Sequence, residues 1–181
     1  MNNFPAHPAV QRQGTRSDLE AINRLIGRAI DTWKLSARVK RLSLPSYQYD
    51  AIDLDHLEVT LIEEAAGQAN TLLAVATRES ADPADLPAGK SGLLLHGLYV
   101  TPEAWGRGLG TRLLRDCAYA AQQQGVHGVL VKATRDSEGY FASRGLHLLP
   151  VCDPHRDFPR RYWLEVQRRP VIALPGERPD D

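Results

Sequence analysis

Gly106, Gly108 and Gly110 alternate in the stretch LYVTPEAWGRGLGTRLL, between an apolar run and a helical pattern. Glycine lets a ligand approach the backbone closely and adopts positive φ angles without strain. The N-terminus of a helix presents unpaired N–H groups and about half a positive charge. With Arg107 and Arg112 nearby, this junction predicts a cradle for a phosphate or pyrophosphate group.

The glycine spacing differs from two common phosphate-binding motifs. A P-loop has four residues between its glycines, followed by Lys and then Ser or Thr, and this stretch contains no lysine. A dinucleotide-binding fingerprint has the spacing Gly-x-Gly-x-x-Gly, whereas here the third glycine comes one residue early. On spacing alone, a tight strand-to-helix turn without a ligand is an equally good interpretation.

The same stretch resembles the acetyl-CoA-binding motif of the GNAT superfamily of N-acetyltransferases. In that motif a strand and Val-x-Pro precede Gln/Arg-x-x-Gly-x-Gly/Ala and a long helix. Val100, Pro102, Gly108 and Gly110 match it in register, and YFASRGL (140–146) is similar to a second segment of the family. The resemblance implies an α/β (α+β) GNAT fold, with a central, mixed, mostly antiparallel twisted sheet of six to seven strands flanked by about four helices.

The resemblance also implies an activity. The chain is expected to move an acetyl group from acetyl-CoA directly to a primary amine of a small molecule or peptide, without a metal. Backbone around Leu98–Val100 would bind the pantetheine arm, aided by a bulge at Gly97. Dimers are common in the family, so a homodimer is an open expectation. The implied cofactor-binding residues are Leu98, Tyr99, Val100, Trp105, Gly106, Arg107, Gly108, Leu109, Gly110, Thr111, Ser137 and Phe141.

Two positions depart from the family pattern. Trp105 stands where Gln or Arg is usual, so backbone amides of 106–111 and Arg107 would have to hold the pyrophosphate. The family's acid tyrosine falls at Phe141, with Tyr140 one residue earlier, and one step along a helix turns the side chain by about 100°. These departures keep an alternative open: a catalytically silent GNAT-fold module that binds CoA or another phosphorylated ligand.

Two side chains are candidates for the proton transfers of amine acetylation. His96 is the candidate base, because histidine titrates close to neutral pH; the alternatives are a histidine hydrogen-bonded within the sheet, or Glu63 or Glu64 acting through water. Tyr140 is the candidate acid, and the alternative is an aromatic side chain that only fills space.

The amine acceptor is not identified by the sequence. A basic stretch, KLSARVKR, favours an acceptor with a carboxylate, whereas the acids of YDAIDLDH favour a cationic amine or polyamine. The Cys152, Asp153 and His155 group is interpreted as incidental, since direct transfer needs neither a metal nor a protein nucleophile. The candidate acceptor-site residues are Trp33, Arg38, Arg41, Tyr47, Tyr49, Asp50, His155, Asp157 and Arg160.

The elements that must position these residues alternate between α and β. A first helix is predicted with Thr15 or Ser17 as its cap, Ser17 being preferred because Glu20 would complete a capping box. Its predicted apolar face consists of Leu19, Ile22, Leu25, Ile26, Ala29 and Ile30. A second has Leu35, Val39 and Leu42 on one apolar face. A central strand (93–100) leads into a helix (107–124) with Leu109, Leu113, Cys117 and Ala121 on one face. The other predicted strands are 10–13, 57–64, 71–79, 127–134, 146–152 and 160–167, and a short helix is predicted at 136–145.

Composition limits the remaining possibilities. A chain of 181 residues fits one domain, expected over 10–170 with tails at 1–9 and 171–181. The net charge of zero gives no reason to expect a nucleic acid or a membrane as partner. Apolar runs are far shorter than the roughly 20 residues that span a bilayer. The chain shows no secretory signal, and with only two cysteines we expect a cytoplasmic protein.

Overall fold

The computed structural model describes residues 9–66 and 69–167. The strands are β1 (Ala9–Gln13), β2 (Glu58–Ala66), β3 (Ala69–Ser80), β4 (Gly92–Val100), β5 (Gly128–Lys132), β6 (His147–Leu148) and β7 (Arg161–Glu165). The α-helices are α1 (Leu19–Asp31), α2 (Ala37–Ser43), α3 (Asp53–His56), α4 (Leu109–Gln123) and α5 (Glu138–Ser143).

All seven strands form one sheet, in the order β1-β2-β3-β4-β5-β7-β6. The pair β4–β5 is parallel, and the other five neighbouring pairs are antiparallel. The parallel pair needs a crossover, which α4 supplies. The predicted mixed, mostly antiparallel sheet is confirmed, with one helix more than the four expected.

Helices α1 and α4 pack on opposite faces of the sheet. The apolar face of α1 contacts Leu61 and Val75, whereas the apolar face of α4 contacts Ile62 and Ala74. Successive strand residues point to opposite faces, so these neighbouring pairs place the two helices on the two sides. Of the residues predicted for the two helix faces, Leu19 is half-buried and the others are buried, namely Ile22, Leu25, Ile26, Ala29 and Ile30 on α1 and Leu109, Leu113, Cys117 and Ala121 on α4.

The second predicted helix is present as α2, whereas the preferred cap of the first helix is wrong. The chain enters α1 through a 3₁₀ turn (Arg16–Asp18) in which the Asp18 carboxylate accepts from the Thr15 N–H at 2.8 Å, so Ser17 is not the cap. The apolar face of α2 is exposed: Leu42 is 66% exposed, and Leu35 and Val39 are also open to solvent. Helix α2 has no buried residue because α1 already covers this face of the sheet.

The predicted bulge is one residue out of place. Strand β4 pairs Gly97 with Thr77 and Leu95 with Arg78, so the extra residue is His96. The short helix α3 was not predicted, and β6 is limited to His147–Leu148.

The ends of the chain are only partly described. Ala9 already belongs to β1, so the tail expected at 1–9 is one residue too long. The rest of that tail and the whole of 171–181 lie outside the described residues. No helix in the described part of the chain is long and apolar enough to cross a membrane.

Candidate active site

A cavity of about 1100 Å³ opens where β4 and β5 separate. The two strands pair only from Gly92–Gly128 to Leu95–Val131, and β4 then continues to Val100 without β5 beside it. The ladder edge of this last part of β4 therefore faces the cavity. The cavity is lined by α1 and Tyr49 from one face of the sheet and by α4 and α5 from the other.

The N-terminus of α4 provides bare backbone at one end of this cavity. Gly106 and Gly108 both have φ +76°, a left-handed conformation that favours glycine, and a Cβ at either would meet open space. Among the described residues, no hydrogen bond engages the amides of Leu109, Gly110 and Thr111. The loop and first helical turn therefore present the donor groups and positive potential that suit a phosphate.

The third glycine leaves room for the Tyr140 hydroxyl. A Cβ at Gly110 would lie 2.9 Å from that oxygen and 3.5 Å from the Leu98 side chain. The Tyr140 hydroxyl is buried and has no hydrogen-bond partner in the described part of the chain. Because a buried hydroxyl is costly to leave unpaired, this one is available to a ligand atom in the cavity.

Phe141 and Arg144 fix the Tyr140 ring from two sides. The Phe141 and Tyr140 rings meet edge to face, with their centroids 5.2 Å apart. The Arg144 guanidinium carbon lies 5.6 Å from the centroid of the Tyr140 ring. Phe141 itself packs against the core under α4. The one-residue shift from the family pattern thus leaves the tyrosine, and not the phenylalanine, with a free polar group next to Gly110.

Trp105 and Arg107 have partners within the protein. The Trp105 indole Nε1 donates to the Val100 carbonyl at 3.0 Å, and its ring is 57% exposed. The Arg107 guanidinium forms an ion pair with Glu64 at 2.6 Å. Arg107 does not line the large cavity; it borders a smaller one of about 590 Å³, with Arg112 nearby.

His96 reaches the cavity from the bulge in β4. Its Nδ1 lies 3.3 Å from Oε1 of Glu79 on β3, and its side chain is 46% exposed. A carboxylate at Nδ1 favours the tautomer that leaves Nε2 free to accept a proton. The Tyr49 ring lies 5.9 Å away, at 45° to the imidazole.

Tyr49 is held in place at the base of this region. Its hydroxyl bonds to Thr77 Oγ1 at 2.7 Å. Burial raises the pKa of Tyr49 to about 12, with a further contribution from the negative charges of Asp53 and Glu79. Burial also raises the pKa of Tyr99, so both phenols are neutral over the physiological pH range.

The alternative bases, Glu63 and Glu64, do not line the cavity. Glu63 pairs with Arg12 at 2.5 Å, which lowers the pKa of this carboxyl. Glu64 pairs with Arg107. Both carboxylates are committed to ion pairs at the β1 side of the sheet, so the structure favours His96 over either.

The residues proposed for the acceptor site fall into two groups. Trp33, Tyr47 and Tyr49 line the cavity, together with Lys34 of the stretch KLSARVKR and Asp53 of the stretch YDAIDLDH. Arg38, Arg41, Asp50, His155, Asp157 and Arg160 do not line it.

Asp157 has a structural position inside its own loop. Its carboxylate accepts from the amides of Cys152 and Asp153 and pairs with Arg161 at 2.9 Å. The backbone hydrogen bond from Asp153, followed by that from Cys152, lowers the pKa of Asp157 to about 2. The prediction of Asp157 as an acceptor-binding residue is therefore wrong.

Thirteen of the fourteen predicted site residues line this single cavity, Arg107 being the exception. Residues 30–147, more than half of the chain, match the family model described as Acetyltransferase (GNAT) family. The chain belongs to the GNAT family. Among curated proteins, none matches this chain.

Solved structures resemble this chain over most of its length. AtaTR bound with AcCoA has a TM-score of 0.59 at 14% identity, covering 87% of this chain and 92% of that chain. AtaT complexed with acetyl-methionyl-tRNAfMet has a TM-score of 0.57 at 13% identity, covering 87% and 95%. A GNAT-family acetyltransferase structure from Desulfovibrio desulfuricans has a TM-score of 0.61 at 14% identity, covering 88% and 100%. At these identities the likeness shows the fold alone.

A metal centre has no support in the geometry. Within 9–66 and 69–167, no group of three or more His, Cys, Asp or Glu side chains is arranged to hold a metal ion. The expectation of metal-free chemistry stays a prediction, as do the homodimer and the cytoplasmic location.

Proposed function

We propose that this GNAT protein is an acetyl-CoA-dependent N-acetyltransferase that acts on a primary amine of a small molecule or peptide. One observation carries the proposal: a single cavity joins the bare amides at the α4 N-terminus to the unpaired Tyr140 hydroxyl and to His96. The solved AtaTR structure, which is named as bound with AcCoA, supports the same donor for this chain.

The protein groups divide the reaction between them. Acetyl-CoA supplies the acetyl group on a thioester, whose carbon–sulfur bond breaks as the amine nitrogen bonds to the acetyl carbon. The amides of Leu109, Gly110 and Thr111 hold the pyrophosphate by direct hydrogen bonds. Backbone N–H groups of Leu98–Val100 on the unpaired part of β4 orient the thioester carbonyl and stabilise negative charge on its oxygen.

Two side chains move the protons. The amine needs a lone pair, so His96 Nε2 takes a proton from it while Glu79 stabilises the imidazolium that results. The Tyr140 hydroxyl donates a hydrogen bond and then its proton to the departing sulfur, and the resulting phenolate takes the second proton that the nitrogen loses as the amide forms. The position of this hydroxyl beside Gly110 supports its role on the donor side of the cavity. Positioning of both reactants in one cavity supplies a large part of the rate enhancement.

The zero net charge gave no reason to expect a nucleic acid as partner, but two of the similar solved structures contain one. AtaT is named as complexed with acetyl-methionyl-tRNAfMet, and KacTA is named in a DNA complex. Aminoacyl-tRNA therefore belongs in the acceptor panel for this chain, beside amines, amino acids, polyamines and peptides.

Gly108 provides the test of the cradle. Gly108→Ala and Gly108→Glu impose the same positive-φ strain, about 1–2 kcal/mol, but only Glu adds a negative charge and bulk at the helix N-terminus. We expect acetyl-CoA at a hundredfold excess over its dissociation constant to stabilise the wild type by about 2.7 kcal/mol. The Ala variant should keep a comparable shift and the Glu variant should lose it. Equal affinity of both variants in calorimetry would refute the assigned cradle.

A second function is suggested by the departures from the family pattern at Trp105 and Phe141. The neutral Trp105 indole donates to Val100 and the Arg107 guanidinium pairs with Glu64, so only backbone amides are left to hold a pyrophosphate. A CoA-binding module without catalysis would bind acetyl-CoA normally and release no thiol with any acceptor. Thiol release measured against the acceptor panel distinguishes the two functions.

A further inference from the structure

One end of the cavity is walled by aromatic rings. We call it the aromatic chamber, and it is formed by Trp33, Tyr47, Tyr49, Tyr99 and His96. The Trp33 and Tyr47 rings meet edge to face at 5.0 Å, and Tyr49 and His96 lie 5.9 Å apart. The four Trp and Tyr side chains belong to one apolar cluster on the α1 face of the sheet. The chamber is therefore on the side opposite α4 and its phosphate cradle.

The charge around the chamber is mainly negative. Asp53 lines it, with one carboxylate oxygen accepting from the Asp50 amide at 2.8 Å and the other unbonded within the described residues. Glu79 stands behind His96. The charges of both carboxylates act on the buried Tyr49 hydroxyl and disfavour its ionisation.

Three cationic side chains also line the cavity, and they do not cancel this charge. Lys132 is paired with Asp85 at 2.6 Å, and Arg144 stacks on Tyr140 on the α5 side. Lys34 is exposed, so water screens its charge. The chamber thus offers aromatic faces and the half-exposed carboxylates of Asp53 and Glu79.

On the basis of the proposed function, we propose that the acceptor is a primary amine that enters as an ammonium cation on a flat, aromatic-sized apolar body. Aromatic faces attract a cation through their quadrupole, and aromatic rings pack edge-on or offset against other rings. The ammonium lies toward Asp53, Tyr49 and His96, where Nε2 takes its proton. The ring packs against the Trp33–Tyr47 pair, whose two rings already contact each other edge to face.

Other acceptor classes fit these groups less well. An acidic acceptor would bring negative charge toward Asp53 and Glu79, which costs free energy. A polyamine offers cations but no surface for Trp33 and Tyr47 to cover. A tRNA could contact the exposed cations Arg38 and Arg41 on α2, but these residues lie outside the cavity and do not select the amine.

The first experiment measures binding without turnover. Calorimetry on CoA-saturated protein compares trimethyl(2-phenylethyl)ammonium, which cannot be acetylated, with n-butyltrimethylammonium and 3-phenylpropanoate. We expect the first to bind at least about tenfold tighter than either of the others, which lack the ring or the positive charge. Asp53→Asn should remove the preference for charge, and Trp33→Leu the preference for the ring. Arg38→Met, outside the cavity, should change neither.

The second experiment measures kcat/KM for 2-phenylethylamine, n-butylamine, 1,4-diaminobutane and aminoacyl-tRNA. We expect the aromatic amine to be preferred by at least about tenfold. Transfer to all amines with equal efficiency, or a preference for aminoacyl-tRNA that high salt abolishes, overturns the chamber proposal and leaves the acetyltransferase standing. Selective binding of the aromatic cation without transfer to any amine supports the chamber and overturns the acetyltransferase. Equal binding of the three calorimetric probes overturns the chamber whatever the transfer rates.

Discussion

Nδ1 of His96 lies 3.3 Å from Oε1 of Glu79 on the adjacent strand. The bulge in β4 makes this contact possible, because His96 is the unpaired residue between Leu95 and Gly97 and is turned out of the ladder. The pair has the geometry of a histidine base oriented by a carboxylate, and His96 lines the cavity.

His96→Ala is therefore expected to lower kcat by a factor on the order of 10²–10⁴, the usual contribution of a general base. The matched control is His147→Ala, since His147 is exposed on β6 and does not line the cavity. Steady-state kinetics with acetyl-CoA and a reactive amine measure both variants. Equal kcat in wild type and His96→Ala would eliminate His96 as the base.

Glu79→Gln separates positioning from proton transfer. Glutamine keeps a hydrogen-bond acceptor for Nδ1 but removes the negative charge that stabilises the imidazolium. We expect a smaller loss of kcat than in His96→Ala, about tenfold. A purely structural role of Glu79 would reduce the free energy of unfolding and leave kcat unchanged.

Tyr140→Phe and Tyr49→Phe are matched variants, because each removes only a phenol hydroxyl. The Tyr140 hydroxyl has no partner in the described part of the chain, whereas the Tyr49 hydroxyl bonds to Thr77. We expect Tyr140→Phe to lower kcat about 10- to 100-fold with the free energy of unfolding unchanged or slightly raised. Tyr49→Phe should cost about 1 kcal/mol of stability. Denaturant titration that finds Tyr140→Phe clearly the less stable variant would show a structural role for its hydroxyl.

Much of the fold could be predicted because its signals are local. The apolar spacing of α1 and α4 is set within each helix, and both buried faces agree with the prediction. The glycine loop is equally local, because positive φ at Gly106 and Gly108 is a property of the turn itself. Helix α2 shows the limit of this reasoning: its periodicity predicts an apolar face but does not say whether a surface is left to cover it.

The charges of the site could not be predicted, because their partners are distant in sequence. Glu63 is neutralised by Arg12, and Glu64 by Arg107, through the pairing of β1 with β2 and the approach of the glycine loop. Nothing around Glu63 and Glu64 in sequence indicates that both are already engaged. Only the folded arrangement of the strands shows that both carboxylates are already in ion pairs.

The role of Gly97 could not be predicted for the same reason, because the side chains that it contacts are distant in sequence. A Cβ there would collide with the Tyr49 hydroxyl and lie 3.1 Å from Thr77 Oγ1. Glycine is needed at this point of β4 because the Tyr49 side chain, from the segment before β2, packs against it. The adjacent bulge at His96 is a separate feature.

Gly110→Ala tests the packing of the Tyr140 hydroxyl without measuring activity. Alanine is favoured over glycine by up to about 1 kcal/mol inside a helix, but the new Cβ would lie 2.9 Å from the Tyr140 oxygen. We expect Gly110→Ala to be neutral or destabilising in the wild type and stabilising in the Tyr140→Phe background. A double-mutant cycle from denaturant titrations gives the coupling. Zero coupling would show that the tyrosine hydroxyl does not lie against Gly110.

Tyr49→Phe is also expected to change the pH dependence of the free energy of unfolding. Burial raises the pKa of Tyr49 from its ordinary value of 10.0 to about 12, so the folded protein keeps this proton to higher pH than the unfolded chain does. Between these values the unfolded state binds fewer protons, and the free energy of unfolding falls as the pH rises. At about 1.36 kcal/mol per pKa unit, the loss is about 2–3 kcal/mol by the end of that range.

The phenylalanine variant lacks this ionisation, so its stability should fall less steeply over the same range. Near neutral pH the wild type is expected to be more stable by about 1 kcal/mol, because it keeps the bond to Thr77. Above pH ~10 the difference should shrink and then reverse, since only the wild type carries a buried phenol that must ionise. Denaturant titrations of both proteins at several pH values measure the difference, in which the ionisation of Cys117 cancels. A constant difference from neutral to strongly alkaline pH would contradict the burial of the Tyr49 hydroxyl beneath the aromatic chamber.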